Sequence, residues 1–574
     1  MKMLISLSYL DIFDGPVPSI EELLSGLSSE GIITLLSIIN AQLYVDQGLK
    51  SQLKIVSELL DGEDFDAKNE VLRKAATRMA KLPSVEHAFF SIRYSLEFIH
   101  HELLNYRQGR MIASQIERLN FFKAYLVISE KVNEPHTTIF ENDSIDKLDP
   151  FHNRLWPLLV RQFSIEGHVN PLTEIPKAIT MLNYFESNSE YKDYYSSFLK
   201  KVNKPSSWNY VLDLVMLIAQ GSHIYEQNKQ SDYPWSIKDS PGFTSLFSLL
   251  SIDVQEYVTN KNLHRAYSGI KERPLLKSNG SFLVLNWNFL ASKIHESLVF
   301  DFYKLSGIDK KIGFNQFVLF KKYVSQRIVE QVLFRRALRA VFRGGSNVVL
   351  FDDEKSPGLP DAYIRSGKYI YLFEVKDSLF SAEVLQNPSY ASIKDEIDKK
   401  FNTNKKGIGQ LYKHVCHLER GTFESQSFEE LNLKRRNLVI YPILIYTDRH
   451  FGMPGIGQYL TAQFECKLVE NPINAFNSVK PLTMVNLSFF TDNIDLITDK
   501  KFSFKSIILS YQKAIKNRSK QRPKKNPVEN SVIMNESIEQ YFNATYLKNI
   551  NHGSRNYVQR IADALKLTEN LPSQ

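Results

Sequence analysis

The stretch that most constrains this chain runs from Pro360 to Lys376, PDAYIRSGKYIYLFEVK. Ile370 to Val375 is almost continuously apolar, the pattern of a strand buried on both faces, and Tyr369 to Lys376 reads as that strand. Strand side chains alternate, so Glu374 and Lys376 share one face while Val375 points to the other. Ionisable groups at the end of a buried strand are costly unless they have a partner or a task. Ser366-Gly367-Lys368 supplies a turn, and a hairpin folded there sets Asp361 beside the strand end that carries Glu374. Two carboxylates then converge with an ammonium next to them. That set suits a hard divalent cation, which takes oxygen ligands, and an anionic substrate bound through the same ion. The bland alternative is a surface hairpin with a salt bridge between Glu374 and Lys376.

The flanking segments extend the pattern. Phe317 to Phe342 reads as an amphipathic helix in which Val324, Ile328, Val332 and Leu338 share one face, widened by Phe334 and Val341. Between Lys321 and Arg343 it holds seven basic residues and a single acid, Glu330, at the edge of the apolar face. Pairing with Arg327, one turn earlier, is the structural role open to Glu330. Arg336, Arg339 and Arg343 form one stripe that could face a phosphate backbone or simply water. A strand is expected over Asn347 to Phe351, followed by an exposed acidic turn, Asp352-Asp353-Glu354, whose last two residues offer at most an outer contact. Beyond Lys376, a mixed-charge helix over Ser392 to Phe401 precedes Lys405 and Lys406, which are candidate phosphate contacts or solvated loop lysines. Gln410 to His414 opens a further helix, and Leu438 to Tyr446 reads as a closing strand. Pro442 inside it favours an edge position or a bulge. Gly452, Gly455 and Gly457 suggest a mobile loop, with no Gly-Lys-Ser/Thr to make it a phosphate loop.

Pro360-Asp361 followed by Glu374-Val375-Lys376 resembles the signature of the PD-(D/E)XK nuclease superfamily. The resemblance covers roughly Phe314 to Thr447. It implies a restriction-endonuclease-like α/β core: a helix, three strands, a helix and a further strand, with a mixed sheet. It further implies Mg²⁺ (or Mn²⁺) held by Asp361, Glu374 and the backbone carbonyl of Val375, with Lys376 as the catalytic lysine. A glutamate on the first core helix adds a metal contact in many relatives, and Glu330 stands there. Gln410 matches a glutamine on the second core helix of RecB-like branches. The tyrosine usual four residues later is replaced by His414, with Tyr412 nearby, a departure from the RecB-like pattern.

Residues 1 to about 270 look mainly helical and carry no motif with chemistry. Ser19-Ile20-Glu21-Glu22 is a capping box, and helices fit Asp66 to Lys81, Val85 to Tyr106, Gln115 to Val132, Trp156 to Phe163 and Tyr210 to Glu226. Asn133-Glu134-Pro135 and Asn203-Lys204-Pro205 punctuate them. His100-His101 point about 100° apart on a helix and do not chelate as an i, i+4 pair would; like His87 and His223, they read as partly buried helix polar residues. Pro274 to Trp287 signals a hairpin about Asn279-Gly280.

The domain reading is a helical recognition or assembly region (1–270), a connector (271–313), the nuclease-like domain (314–512), a basic linker (513–530) and a small helical segment (531–574). Seven of the thirteen residues from Lys513 to Lys525 are basic, which suits a linker or a nucleic-acid contact. At 574 residues and 43% apolar content the chain can build several cores. Two cysteines, Cys416 and Cys466, offer neither a disulfide framework nor a zinc site and point to a reducing, cytoplasmic setting. Neither a signal peptide nor a membrane span is read. The expectation is a divalent-metal-dependent hydrolase of nucleic acid, DNA before RNA, in prokaryotic defence against phage or plasmids. A partner protein or self-association is expected through the helical region. The rivals are a non-catalytic scaffold that keeps the fold and an RNA-directed nuclease.

Overall fold

A computed structural model gives the structure of the chain and describes all residues except 1–3, 63–64, 82–85, 142–149, 167–168, 228–235, 239–241, 344–346, 353–358, 421–433, 499–501, 519–534, 548–560, 564, 566 and 568–574. The predicted strand at the centre of the sequence argument is the centre of a mixed sheet. Its six strands are β1 (Val348–Phe351), β2 (Ala362–Ser366), β3 (Tyr369–Lys376), β4 (Val439–Tyr446), β5 (Ser478–Val479) and β6 (Thr483–Asn486). β1, β2 and β3 are consecutive antiparallel neighbours, whereas β3 and β4 run parallel over all eight residues, Tyr369↔Val439 to Lys376↔Tyr446. β5 and β6 share the other side of β4, both parallel to it. The β2–β3 turn closes on Gly367 at φ +57, a conformation that costs glycine little.

Strand alternation sorts the sheet into two buried faces. Tyr371, Phe373 and Val375 join Ile443 and Ile445 on one side, against helix α1 (residues 317–341). Ile370 and Leu372 join Ile440 and Leu444 on the other, against α2 (Tyr390–Phe401), α3 (Ile408–Arg420) and α4 (Ile456–Glu470). The fold is therefore mixed α/β with helices on both faces. Burying one phenylalanine such as Phe373 contributes about 1.5–3 kcal/mol. Several such rings around β3 offset the cost of carrying Glu374 into the interior.

Helix α1 is not uniform. Phe317–Val324 and Arg335–Val341 are α-helical, but Ser325–Phe334 is π-helical. The wider turn moves the apolar stripe off the expected register. Val329 and Leu333 are buried with Val324, Ile328 and Leu338, while Val332 is only half-buried.

The structure corrects the expectation for Pro442, which lies inside the sheet on β4 and not at an edge or bulge. Along β4 the even residues turn their polar groups away from β3: Leu438 and Ile440 carbonyls accept from Asn477 and Lys480 N–H, whereas Val439 N–H donates to the Lys368 carbonyl. The missing N–H of Pro442 thus faces the gap between Val479, where β5 ends, and Thr483, where β6 begins. No donor is required there. The glycine-rich segment carries regular secondary structure. A 3₁₀ turn, Arg449–Gly452, leads through Gly455 (φ +95) into α4, and Trp156 Nε1 donates to the Pro454 carbonyl. Apolar spacing in α4 is irregular, so the sequence reading passed over it.

In the first half, the Ser19 capping box forms, and helices span Phe65–Lys81, Gln115–Glu141, Pro150–Glu166 and Ser207–Gln227. Three expectations change. The segment expected to open a helix at Val85 forms a strand, Glu86–Ala88, parallel to Leu4–Ser6. Gln52 Oε1 accepts from Phe89 and Phe90 N–H, and the helix starts only at Ile92 behind its Ser91 cap. The helix from Gln115 runs past Asn133-Glu134-Pro135 to Glu141. The basic linker expected from residue 513 is helical at its start, where Lys513 to Arg518 continue the helix Phe504–Arg518; the rest of that basic run lies outside the described residues. Leu275–Ser278 and Ser281–Val284 form the predicted hairpin. His100 Nδ1 meets the Tyr257 hydroxyl at 2.6 Å and Glu102 is buried against Ser29 and Arg107, as the polar-residue reading expects, whereas His87 is buried on the strand Glu86–Ala88 and not on a helix. The side chain of His223 is outside the described residues. The apolar core on the Val375 side of the sheet is continuous across residue 270, joining Phe185, Phe198 and Trp208 to Phe302, Phe334 and Phe373. Ile538, Phe542 and Leu565 near the C-terminus join it too. Among the described residues no helix is long and apolar enough to cross a membrane.

Candidate active site

β3 outruns β2. The last ladder pair is Ala362↔Phe373, so Val375 lies beyond it with its N–H and carbonyl on the side β2 has vacated. Asp361, just before β2, fills part of that space, and its Oδ2 accepts the Val375 N–H at 2.6 Å. This bond fixes Asp361 beside the end of β3. Glu374, 1% exposed, and Lys376 emerge together on the α3 side, and Lys376 Nζ donates to Glu374 Oε1 at 2.6 Å. The hairpin predicted from sequence therefore assembles both carboxylates and the lysine at one strand end.

Glu330 reaches the same region from the π-helical part of α1. Burial, then the charge of Asp361, pushes its carboxyl up to about 8, with Asp377 and Glu374 acting in the same direction and Lys376 opposing. Asp361 is pushed up to about 7 by burial and by the Glu374 charge, against the pull of Lys376 and the Val375 N–H. Negative charge thus exceeds what Lys376 can balance, and the neutral forms of Glu330 and Asp361 are favoured well above the usual carboxylate range. Arg327, weighed as a partner for Glu330, donates to Gln331 Oε1 at 3.3 Å.

Asp377 is a residue of this corner that no sequence motif marks. It follows Glu374-Val375-Lys376 on the opposite face and is buried; burial would raise its carboxyl, but Lys321 holds it below the usual range. Its Oδ2 accepts from Lys321 Nζ (2.5 Å) and Ser325 Oγ (2.7 Å), and its Oδ1 from Thr447 Oγ1 (2.5 Å). These bonds tie the ends of β3 and β4 to α1 just ahead of Glu330. An acid immediately beyond a buried strand was the available signal.

On the other face, α3 places His414 Nε2 3.6 Å from Glu374 Oε2. His414 is 8% exposed, and among the described residues neither ring nitrogen has a hydrogen-bond partner. Gln410, one turn earlier, accepts the Gly407 N–H at 3.2 Å and so secures the start of its own helix. Tyr412 points away, to the Asn471 carbonyl. Lys405 and Lys406 are exposed on a tight hairpin, Asn402–Thr403 with Lys406–Gly407, which packs against β3. The arginine stripe is not brought to the carboxylates. It lies where α1 passes Tyr371, with Arg336 donating to the Leu565 carbonyl and Arg339 stacked 5.1 Å from the Phe351 ring. Arg343 is exposed. The Asp352 charge acts on Asp361, while Asp353 and Glu354 lie outside the described residues.

The donor set open to a cation is all oxygen: the Asp361 and Glu374 carboxylates and the Val375 carbonyl, with Glu330 nearby. Among the described residues no three His, Cys, Asp or Glu side chains form a ready-made cage. Two acids and a carbonyl leave positions for water or phosphate, which suits Mg²⁺ or Mn²⁺ better than a closed structural site. Compared with protein-family models, characterised proteins and solved structures, the chain matches none.

Proposed function

We infer that the chain is a divalent-metal-dependent nuclease, hydrolysing nucleic-acid phosphodiesters with DNA as the first substrate to test. One observation carries the reading: Asp361, Glu374 and Lys376 meet at the end of β3, with Asp361 bonded to the Val375 N–H and Lys376 to Glu374. The order of elements supports it. Helix α1, strands β1 to β3, helix α3 and then strand β4 follow the helix, three strands, helix, strand order that the PD-(D/E)XK resemblance implies, with α2 as an additional helix before α3. The excess of buried carboxylates supports a cation as the missing counter-charge.

Asp361, Glu374 and the Val375 carbonyl would hold Mg²⁺ or Mn²⁺, with Glu330 contributing directly or through water. Such an ion lowers the pKa of a bound water and neutralises charge on the scissile phosphate. The chain supplies the rest. Lys376 brings an ammonium to the edge of the ligand set, where it can orient water or contact phosphate. Asp377, locked by Lys321, Ser325 and Thr447, keeps the strand end from shifting. Lys405 and Lys406 stand on the same face for the nucleic-acid backbone. A role in prokaryotic defence remains the biological setting that fits a nuclease core packed against a large helical region.

The test is incubation of the purified chain with end-labelled double- and single-stranded DNA and RNA, in Mg²⁺ or EDTA. Cleavage that requires Mg²⁺ and leaves 5′-phosphates is expected. Failure to cut any of the four substrates would favour the non-catalytic scaffold, and cutting of RNA alone the RNA-directed reading.

A further inference from the structure

A cavity lies at the same end of the sheet, on the side away from Lys376. Asp377, Thr447 and Leu487 each follow directly on a strand end, of β3, β4 and β6. Together with residues of the first three hundred they enclose a cavity of about 300 Å³. Parallel strands commonly present ligand sites beyond their carboxyl ends, and this volume is within the range of small-molecule pockets.

Two buried polar side chains, His450 and Glu174, stand in its wall. Asp448 accepts from His450 Nδ1 (2.6 Å), from the His450 N–H (3.0 Å) and from the Phe380 N–H (2.7 Å). That fixes the imidazole, with Nδ1 against the carboxylate and Nε2 turned elsewhere. His450 is 8% exposed, yet among the described residues Nε2 has no hydrogen-bond partner. Glu174 gives Oε1 to Lys177 at 2.6 Å, and its Oε2 is paired with His295 Nδ1 at 3.2 Å. A buried polar atom left like His450 Nε2 costs about 1–3 kcal/mol, which a ligand group hydrogen-bonded there would recover. The remaining lining adds two other features: the rings of Phe289 and Phe380, and the cationic side chains of Lys271 and Arg449. Lys271 Nζ lies 5.5 Å from the Phe289 ring centre, and Arg449 bonds Glu296 at 2.8 Å.

We propose that this cavity binds a small anion of mononucleotide size, with its hydroxyl or amino donors on His450 and Glu174, its flat ring against Phe289 and Phe380, and its phosphate toward Lys271 and Arg449. Binding bears on α1, because Val324, Val329 and Leu333 form another part of the wall. These residues belong to or adjoin the π-helical Ser325–Phe334, the least regular part of the helix and the part that carries Glu330. π-Helical turns recur at functional sites, and a ligand packed on this one would hold it in place.

The test uses the full chain in EDTA, so that neither a bound metal nor hydrolysis enters the readout, and the nuclease assignment can stand or fall separately. The four common nucleoside 5′-monophosphates are titrated singly by calorimetry, with adenosine and inorganic phosphate as half-ligand controls. At least one monophosphate should bind more tightly than either control. His450→Phe, which removes the acceptor, and Leu379→Trp, which narrows the partly exposed rim, should each weaken it at least tenfold, about 1.4 kcal/mol. Hydrogen exchange of Ser325–Phe334 should slow on binding. If His450→Phe misfolds by circular dichroism, Leu379→Trp decides alone. No binding by any monophosphate, or binding unchanged in a folded variant, overturns the site; binding without slower exchange in Ser325–Phe334 overturns the action on α1.

Discussion

Replacing Asp361 by Asn should make the metal-free protein more stable at pH 8 than the wild type, although it removes a ligand of the proposed ion. Burial and the Glu374 charge push the Asp361 carboxyl from an ordinary 3.8 up to about 7. Between about pH 4 and 7 the unfolded chain has released this proton while the folded chain keeps it. The unfolded state then binds fewer protons, so stability falls as pH rises through that window and levels off above it. Roughly three pH units at about 1.4 kcal/mol each set an upper bound of about 4 kcal/mol. Asp361 also interacts with Glu330 and Glu374, and water relaxes around a carboxylate that is not fully enclosed. About 2 kcal/mol is therefore expected, a melting shift on the order of 2 °C for a chain of this size. Asparagine still offers an oxygen to the Val375 N–H, so the bond that positions this corner survives. The assay is thermal and urea denaturation of both proteins in EDTA at pH 5 and pH 8. The variant should exceed the wild type by a smaller margin at pH 5 than at pH 8, because only the lower part of the pH 4 to 7 window has been crossed at pH 5, and Mg²⁺ should stabilise only the wild type. A variant less stable than the wild type at pH 8 would refute the crowded-carboxylate argument.

Other outcomes follow from the same geometry. Lys376→Ala should slow cleavage while metal affinity is kept or raised, because an ammonium beside the ligands repels a cation; calorimetry and single-turnover rates separate the two. Neutralising Lys405 and Lys406 should weaken nucleic-acid binding and flatten its salt dependence by about 0.7 to 0.9 per lost contact, and an unchanged slope would return both to solvated lysines. Gly409→Ala should destabilise the start of α3, since a Cβ there would sit 2.0 Å from the Thr403 carbonyl. Chemical denaturation should show a loss of at least about 2 kcal/mol, and a neutral effect would mean that the Lys405 hairpin is free to move.

The part of the site legible in the sequence was the part set by strand periodicity. An unbroken apolar run fixed Tyr369–Lys376, alternation placed Glu374 with Lys376, and Ser366-Gly367-Lys368 gave the turn that returns Asp361. What could not be read depends on partners distant in sequence. Pro442 argued against a central strand only until the gap between β5 and β6 showed where its missing N–H falls. The π-helical stretch of α1 has no local signature; it shifts the stripe from Val332 to Leu333 and sets how Glu330 approaches. Phe89 and Phe90 sit within a plausible helical period, yet Gln52, nearly forty residues earlier, takes their N–H groups and holds them outside the helix. Asp377 looked like the residue after a motif, and only the convergence of Lys321, Ser325 and Thr447 gives it a role.

The most direct test of the central claim is a calorimetric titration of Mn²⁺ into the metal-free chain, repeated with Asp361→Asn, Glu374→Gln and Lys376→Ala. The account predicts saturable binding in the wild type, its loss in both carboxylate variants, and its persistence in Lys376→Ala. An isotherm from folded Glu374→Gln that matches the wild type would contradict it, because the buried carboxylate at the end of β3 would then have no part in holding the ion.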